Sequence, residues 1–553
     1  MINKSAHFAQ FLWKELGHTN QVELNSVQDL ISAAIGLGAR KVGDWSRNEL
    51  DLASSVRTLP SGQIQNIRDD INSGHDPLGE ALCSLRSPEE RRGLGATFTP
   101  LPIVDAMVSW ARTLRVIPDR VVEPGSGSGR FLLAAAKVFP GAQLLGIESD
   151  PVAAMIARAN LVVRGYSKRS HIDLSDYRKV SIPPISGRTL FLGNPPYVRH
   201  HKLDTAGKQW LSENARGLGL KASQLSGLHV HFFLATALKA QKDDFGAFIT
   251  SAEWLDVNYG ELVRQLFLSR LGGQGITVVE PTSRMFSDAQ TTSAITQFVI
   301  GSRPERIRMS RTRDAAQNEN STAERLVNRS RFESENRWSI LTRKPEIARD
   351  GYIELGELCE VHRGQVTGAN RIWIAAGNGS TLPESVLFPC VTRAKELFAA
   401  GDALCDVSQL RDVIDIPPDL SAFEKSDRRR IDDFLRRAKA LGADQGYVAR
   451  NRKAWWSVGL RSPAPILATY MARRAPAFVR NVADARHINI AHGIYPRVPL
   501  LPHILDRLAH LLSSTASVNG GRTYAGGLIK FEPKEMERIL IPNPMELETE
   551  RVA

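Results

Sequence analysis

The sequence predicts a doubly wound α/β domain behind a small helical N-terminal region and ahead of a mixed α/β C-terminal part. Three observations carry this. Between about residues 91 and 302, short β-branched runs alternate with stretches of helical periodicity, the pattern of a largely parallel sheet wrapped by helices. One of these runs, Val121-Val122, enters a glycine-rich turn that a helical stretch follows, a local unit shared by many nucleotide-binding folds. Residues 338–553 lose that alternation and mix both kinds of signal.

The elements follow in order. Residues 1–90 hold short apolar-periodic stretches, such as Val27-Gln28-Asp29-Leu30-Ile31 into Ala33-Ala34-Ile35, and read as a helical region without evident chemistry. Within 91–302 the expected strands include Arg120–Val122, Leu144–Ile147, Thr189–Leu192 and Ala247–Thr250. Residues 303–337 shift to Arg, Ser, Asn and Glu and read as a basic linker or exposed excursion. The 553 residues suffice for two or three domains, and 42% hydrophobic with 24% charged residues is ordinary for a soluble globular protein. No run of about 18 uncharged apolar residues marks a spanning helix, and the N-terminus lacks the apolar region of a signal peptide. Four scattered cysteines form no CxxC, so neither a disulfide framework nor a zinc site is expected, which fits a reducing cytoplasm. A net charge of +12 favours a polyanionic partner, though charge alone is equally that of a merely basic protein.

The glycine turn reads Val121-Val122-Glu123-Pro124-Gly125-Ser126-Gly127-Ser128-Gly129-Arg130-Phe131. Glycine is needed where backbone takes positive φ and a ligand approaches closely. The spacing E-P-G-x-G-x-G is neither G-x-G-x-x-G nor a phosphate-binding P-loop, so the ligand is not expected to be held by phosphates. Glu148 ends the next strand, about 20 residues past the turn, where an acid is placed to accept hydrogen bonds from ribose hydroxyls. Asp176, before Tyr177, can meet an adenine amino group beside an aromatic wall; Asp173 is an alternative for that role.

The run Phe191-Leu192-Gly193 ends in Asn194-Pro195-Pro196-Tyr197, a tetrapeptide with its own chemical logic. The exocyclic nitrogen of adenine is a poor nucleophile because its lone pair is delocalised into the ring. Two acceptors aimed at its N–H bonds, the Asn194 side-chain oxygen and the Pro195 carbonyl, would localise that pair. The prolines at 195 and 196 stiffen the turn. Tyr197 offers a flat face on which a flipped base can stack.

With these residues in view, positions from about 93 to 300 resemble the gamma group of amino-methyltransferases, Rossmann-like enzymes of restriction–modification systems that methylate N6 of adenine. There a Phe-Thr-Pro segment precedes the cofactor turn, the Asn-Pro-Pro-Tyr and a target-recognition domain; here the first is Gly95-Ala96-Thr97-Phe98-Thr99-Pro100. The resemblance implies S-adenosyl-L-methionine as cofactor and double-stranded DNA as partner. It implies Thr97, Thr99 and Pro100 near the methionine end, Glu123, Gly125 and Gly127 in the cofactor loop, Glu148 on the ribose and Asp176 on the adenine. Asn194, Pro195, Pro196 and Tyr197 carry over as the catalytic group. Phe286, in Val279–Phe286 ahead of Thr291-Thr292-Ser293, is the candidate second aromatic on the flipped base; ordinary core is its alternative. The C-terminal 338–553, with Gly364–Arg371, Trp455-Trp456 and Gly520–Pro533, resembles the recognition domains of such enzymes. The arginines at 303–313 and 428–437 either track a phosphate backbone or form solvated faces.

Four alternatives are weighed on sequence, the last a single chain carrying both nuclease and methyltransferase. Asn-Pro-Pro-Tyr also serves enzymes that methylate a glutamine side chain of release factors, but those are shorter and lack a large C-terminal domain. N4-cytosine methylases more often carry Ser before the proline pair. A non-catalytic DNA-binding subunit would be expected to show a degraded motif. For a nuclease, Asp419 with Glu424-Lys425 is a poor metal-binding pattern. Cleavage is therefore expected in a separate cognate restriction endonuclease, with this chain working in the bacterial cytoplasm at the nucleoid.

Overall fold

The structure is a computed structural model, and it describes residues 24–54, 56–87, 90, 99–279, 292–312, 324–342, 351–375, 381–515, 521–524 and 528–543. Two compact units divide the chain, residues 1–345 and 346–553.

The first unit is built on a nine-stranded sheet of order β3-β2-β1-β4-β5-β7-β6-β8-β9. Its strands are β1 (Arg120–Pro124), β2 (Gln143–Glu148), β3 (Ser170–Leu174), β4 (Thr189–Gly193), β5 (Phe245–Ser251), β6 (Gly273–Val279), β7 (Ser293–Val299), β8 (Arg306–Thr312) and β9 (Arg325–Asn328). Strands β1 to β5 pair in parallel, and β7 enters antiparallel between β5 and β6. The central strands are buried on both faces, β4 and β5 at every residue, so they read as continuous apolar runs.

Helices cover both faces. The N-terminal region contributes α1 (Val27–Gly36), α2 (Arg47–Ser54), α3 (Ser61–Asn72) and α4 (Pro77–Leu85). Then come α5 (Leu101–Thr113), α6 (Arg130–Val138), α7 (Pro151–Val163), α8 (Thr205–Gly217), α9 (Leu228–Lys239) and α10 (Glu261–Leu268). Helix α7 is buried all round. Ala154, Ala157 and Leu161 join the sheet-side core, while Val152, Met155, Ile156 and Ala159 pack with Leu30, Ile31, Ile67 and Leu78 of the N-terminal helices. Arg158 of α7 is fully buried, ion-paired to Glu49 of α2 at 3.0 Å and donating to the carbonyls of Val42 and Ile172. A charge is tolerated there only because it is paired and its donors are satisfied. The helical region is thus a cover for α7 and part of the first unit.

Residues 303–337, expected as a basic linker or excursion, hold two strands of the sheet and a short helix, Arg329–Ser334, where they are described. β8 pairs with β6 and β9 with β8, and Ile307, Met309, Val327, Phe332 and Trp338 join the core. Arg306 and Arg308 sit on the outward positions of β8, alternating with buried Ile307 and Met309. Two-residue alternation with arginine on one face hides a strand from a reading based on composition. With Trp338 and Leu341 buried in this core, the first unit runs past the expected boundary at 338.

The second unit holds a five-stranded sheet built from Cys359–Arg363, Ala491–Pro496, Ile466–Thr469, Phe478–Asn481 and Ala403–Leu404 in that spatial order, and smaller sheets of three, three and two strands. Its two longest helices are α11 (Lys425–Ala440) and α12 (Pro502–Thr515). Leu505, Leu508 and Leu512 of α12 pack with Ile466, Phe478 and Ile494 of the five-stranded sheet. Among the described residues no helix is long and apolar enough to cross a membrane.

Candidate active site

The strand order reverses between β1 and β4, with β2 and β3 beyond one and β5 beyond the other. In open α/β sheets, ligands bind outside the carboxyl ends of the strands at such a reversal. β1 and β4 are parallel neighbours, with Val122 beside Phe191. The glycine turn after β1 and the Asn-Pro-Pro-Tyr turn after β4 therefore emerge side by side. A cavity of about 270 Å³ lies at this point, with Thr99, Glu123, Gly125, Gly127, Glu148 and Asn194 in its walls.

The glycine turn needs its glycines. Gly125, Gly127 and Gly129 have φ of 68°, 52° and 84°, values that side chains disfavour. A Cβ on Gly125 would stand 3.6 Å from the Phe232 ring and 3.7 Å from Pro196, so the two turns are in van der Waals range. The Glu123 carboxylate reaches from β1 to the start of α6, accepting from the amides of Phe131 at 3.4 Å and Leu132 at 2.9 Å. Burial pushes the Glu123 carboxyl well above its ordinary pKa, against the pull of those amides.

Glu148, at the end of β2, accepts from the Gly127 amide at 2.7 Å and from the amides of Ser149 and Asp150 at 2.8 and 3.0 Å. Burial raises its carboxyl too, with the amides opposing. Asp176 is also in the cavity wall, and Asp173 is not. Burial works to raise the Asp176 carboxyl, but the Arg178 guanidinium, at 2.6 to 3.0 Å from both oxygens, holds it below the usual carboxylate value. Tyr177 also lines the cavity, its ring 5.1 Å from that of Phe232, which lines it too, while its hydroxyl lies 2.8 Å from that of Thr236 in the core.

The turn after β4 is pinned at several points. Asn194 Nδ2 donates to Thr99 Oγ1 at 3.1 Å. The half-buried Tyr197 phenol is hydrogen-bonded to the Ser293 side chain of β7, and burial raises its pKa. The Val198 carbonyl accepts from the Leu228 amide at 2.9 Å, tying the turn to the start of α9.

Of the residues singled out in the sequence, Thr99, Glu123, Gly125, Gly127, Glu148, Asp176, Asn194 and Pro196 line one cavity. Pro100, Pro195 and Tyr197 adjoin it in the chain without being part of that lining. Thr97 and Phe286 lie outside the described residues. The sequence reading missed Leu82, Cys83 and Arg86, which bring α4 of the N-terminal region into the wall, and Phe232 of α9. It also missed Asp76. The Asp76-Pro77 pair is a helix-start signal that was there to be read, but nothing local says what else the carboxylate holds.

Comparison with known proteins places the chain in a family. The family described as N-6 DNA Methylase matches residues 78–217, Eco57I restriction-modification methylase matches 190–276, and the C-terminal domain of type II methyltransferase M.Eco57I matches 344–553. Type II methyltransferase M.XamI of Xanthomonas campestris pv. amaranthicola is 49% identical over 509 residues, 90% of this chain and 94% of the relative. Type II methyltransferase M.AccI of Acinetobacter calcoaceticus is 23% identical over 486 residues, 82% of this chain and 86% of the relative. Among solved structures, the type IIL restriction–modification enzyme MmeI in complex with DNA aligns with a TM-score of 0.57 at 13% identity, covering 95% of this chain and 81% of that one. At that identity the likeness is one of fold.

Proposed function

The chain belongs to the type II methyltransferases of restriction–modification systems, in the N6-adenine class, and from that premise we propose how its residues divide the reaction. The methyl donor is S-adenosyl-L-methionine, which when bound supplies an electrophilic methyl group. The residues present fit such a group. Glycines at positive φ leave room along one wall, Glu148 stands where a ribose would be met, and the Asp176 carboxylate and Phe232 ring stand where an adenine would be. Thr99 and Pro100, with Thr97, serve the methionine end.

The second substrate is an adenine flipped from double-stranded DNA. Asn194 Oδ1 and the Pro195 carbonyl accept from its two N6–H bonds and localise the nitrogen lone pair. Tyr197 stacks on the base, with Phe286 as the second aromatic. Pro196 keeps the turn rigid, so the acceptors are already in place when the base arrives. The second unit reads the DNA sequence. Cleavage lies with a separate cognate endonuclease, and the pair works in the bacterial cytoplasm at the nucleoid.

The observation that carries this reading is the meeting of the two turns around one cavity at the strand-order reversal. Transfer of labelled methyl to duplex DNA, followed by nucleoside analysis, tests it with wild type and Asn194→Ala. N6-methyladenine from the wild type and a loss of about 100- to 1000-fold in the variant are expected. N4-methylcytosine, or an undiminished variant, would overturn it.

A further inference from the structure

The catalytic asparagine is held by Thr99, and Thr99 is held from a distance. The Arg130 guanidinium donates through Nη1 to the Thr99 carbonyl at 3.0 Å and through Nε to Asp76 Oδ2 at 2.7 Å. Asp76 is 4% exposed. Its carboxylate also accepts from the Ser128 hydroxyl in the glycine turn at 2.5 Å, from the Gly79 amide at 3.0 Å as the N-cap of α4, and from Asn160 Nδ2 of α7 at 3.3 Å. Asn160 in turn donates to the Ser128 carbonyl at 3.0 Å. One buried carboxylate therefore gathers α4, the glycine turn and α7, and one planar guanidinium passes that position on to the segment bearing Thr99.

We propose that Asp76 and Arg130 are positioning residues for methyl transfer, acting through Thr99 on the carboxamide of Asn194. Three features separate this from a merely structural ion pair. Helix α5 begins directly after Thr99 with Pro100 at its N-cap and no side-chain cap of its own, so the Arg130 bond supplies an external fix at that point. A carboxamide helps the reaction only with its oxygen toward the amine; turned over, it would oppose two N–H donors to two others. In the structure it is Nδ2, and not the oxygen, that meets the Thr99 hydroxyl. Lysine cannot reproduce the two-pronged reach, because an ammonium is a point donor where guanidinium is a fixed fork. The N-terminal helical region thereby gains a role in the chemistry: α4 carries the residue from which the acceptor geometry is set.

This inference rests on the proposed role of Asn194, and the test separates the two. Single-turnover methyl transfer is measured on long duplex DNA prepared without adenine methylation, beside cofactor affinity and thermal unfolding. Asp76→Asn, Arg130→Lys and Thr99→Val should each slow transfer at saturating cofactor by about 10- to 100-fold, beyond any change in cofactor Kd. Thr99→Ser, which keeps the hydroxyl, should restore most of the rate. Asp76→Asn combined with Thr99→Val should be no slower than the slower single variant, because both break one chain of contacts. Transfer within about twofold of wild type in Asp76→Asn and Arg130→Lys would overturn the proposal. So would multiplicative losses in the double variant, or losses that appear only in cofactor Kd. Should Asp76→Asn fail to fold, Arg130→Lys decides. A wild type that does not methylate DNA would instead sink the reading of Asn194 itself.

Discussion

The two units deploy their polar side chains in opposite ways. In the first, carboxylates and amides are buried and converge: Glu123, Asp76 and Asn160 are each at most 4% exposed and each bonds a different stretch of chain. In the second, many of the cations face outward and pair locally. On α11, Arg428 meets Asp432 and Arg430 meets Asp427, and Arg436 meets Asp433, all within four residues along one helix. Arg363 and Lys530 lie over the Tyr470 ring at 4.8 and 5.1 Å. A reacting centre requires groups that are already fixed when the substrate arrives, whereas a surface that meets a polyanion requires charges that can adjust to it. Exposed pairs of the α11 kind are each worth at most about 1 kcal/mol, so breaking one costs little.

The sharpest way to break this division is to exchange loss of rate for loss of affinity. Asn194→Ala is expected to lower transfer by about 100- to 1000-fold at saturating DNA, and no single alanine on the exposed face of α11 should approach that. Next in size is Glu148→Gln. Removing a charged acceptor from the Gly127 amide and from the expected ribose hydroxyls should weaken cofactor binding by about 10- to 100-fold, measured by calorimetry, with DNA affinity unchanged. An equal loss of DNA affinity would mean that the cofactor pocket and the DNA-binding surface are not separable.

A smaller effect tests the other side. Arg429 and Arg437 are exposed on α11. If they meet phosphates, alanine at each should lower the slope of log affinity against log salt by about 1, with the single-turnover rate at saturating DNA intact. An unchanged slope would leave α11 a solvated face, and a changed rate would break the division between the units.

The same contrast explains what the sequence disclosed. The glycine turn and the Asn-Pro-Pro-Tyr turn are contiguous, because strand, turn and helix start must follow one another in the chain, and so both were legible. The apolar runs that build β1, β2, β4 and β5 were legible for a similar reason, whereas β3 was not named. The Asp76–Arg130–Thr99 chain was not, since its bonds join residues 54 and 31 positions apart and no local pattern requires them. The strand β8 was missed because Arg306 and Arg308 fill outward positions, and arginine-rich composition is shared by strands and linkers alike. In the second unit the core is spread over several small sheets, so no run of sequence is long enough to declare its period, and only the overall mixed character came through.

The smallest expected effect concerns stability rather than chemistry, and it asks whether the units also differ in their response to acid. Among the described residues each buries two histidines: His229 and His231 on α9, and His487 and His492 in the second unit. Burial lowers His229, His487 and His492 from 6.5 to about 4, and His231 to about 3. Between those values and 6.5 the unfolded chain binds protons that the folded chain refuses. Stability is therefore whole above about pH 6.5, falls as pH drops toward 4, and levels off below, by an amount of order 1–3 kcal/mol per histidine. His231 stacks on Trp210 with ring centroids 5.9 Å apart, so phenylalanine there preserves the stacking and removes the titration. In thermal unfolding followed from pH 7 to 4, His231→Phe should blunt the acid loss of the first unit and leave that of the second as it was. If both transitions shift together, the two units unfold as one, and the separation of rigid site from adaptable surface must then arise within a single cooperative body.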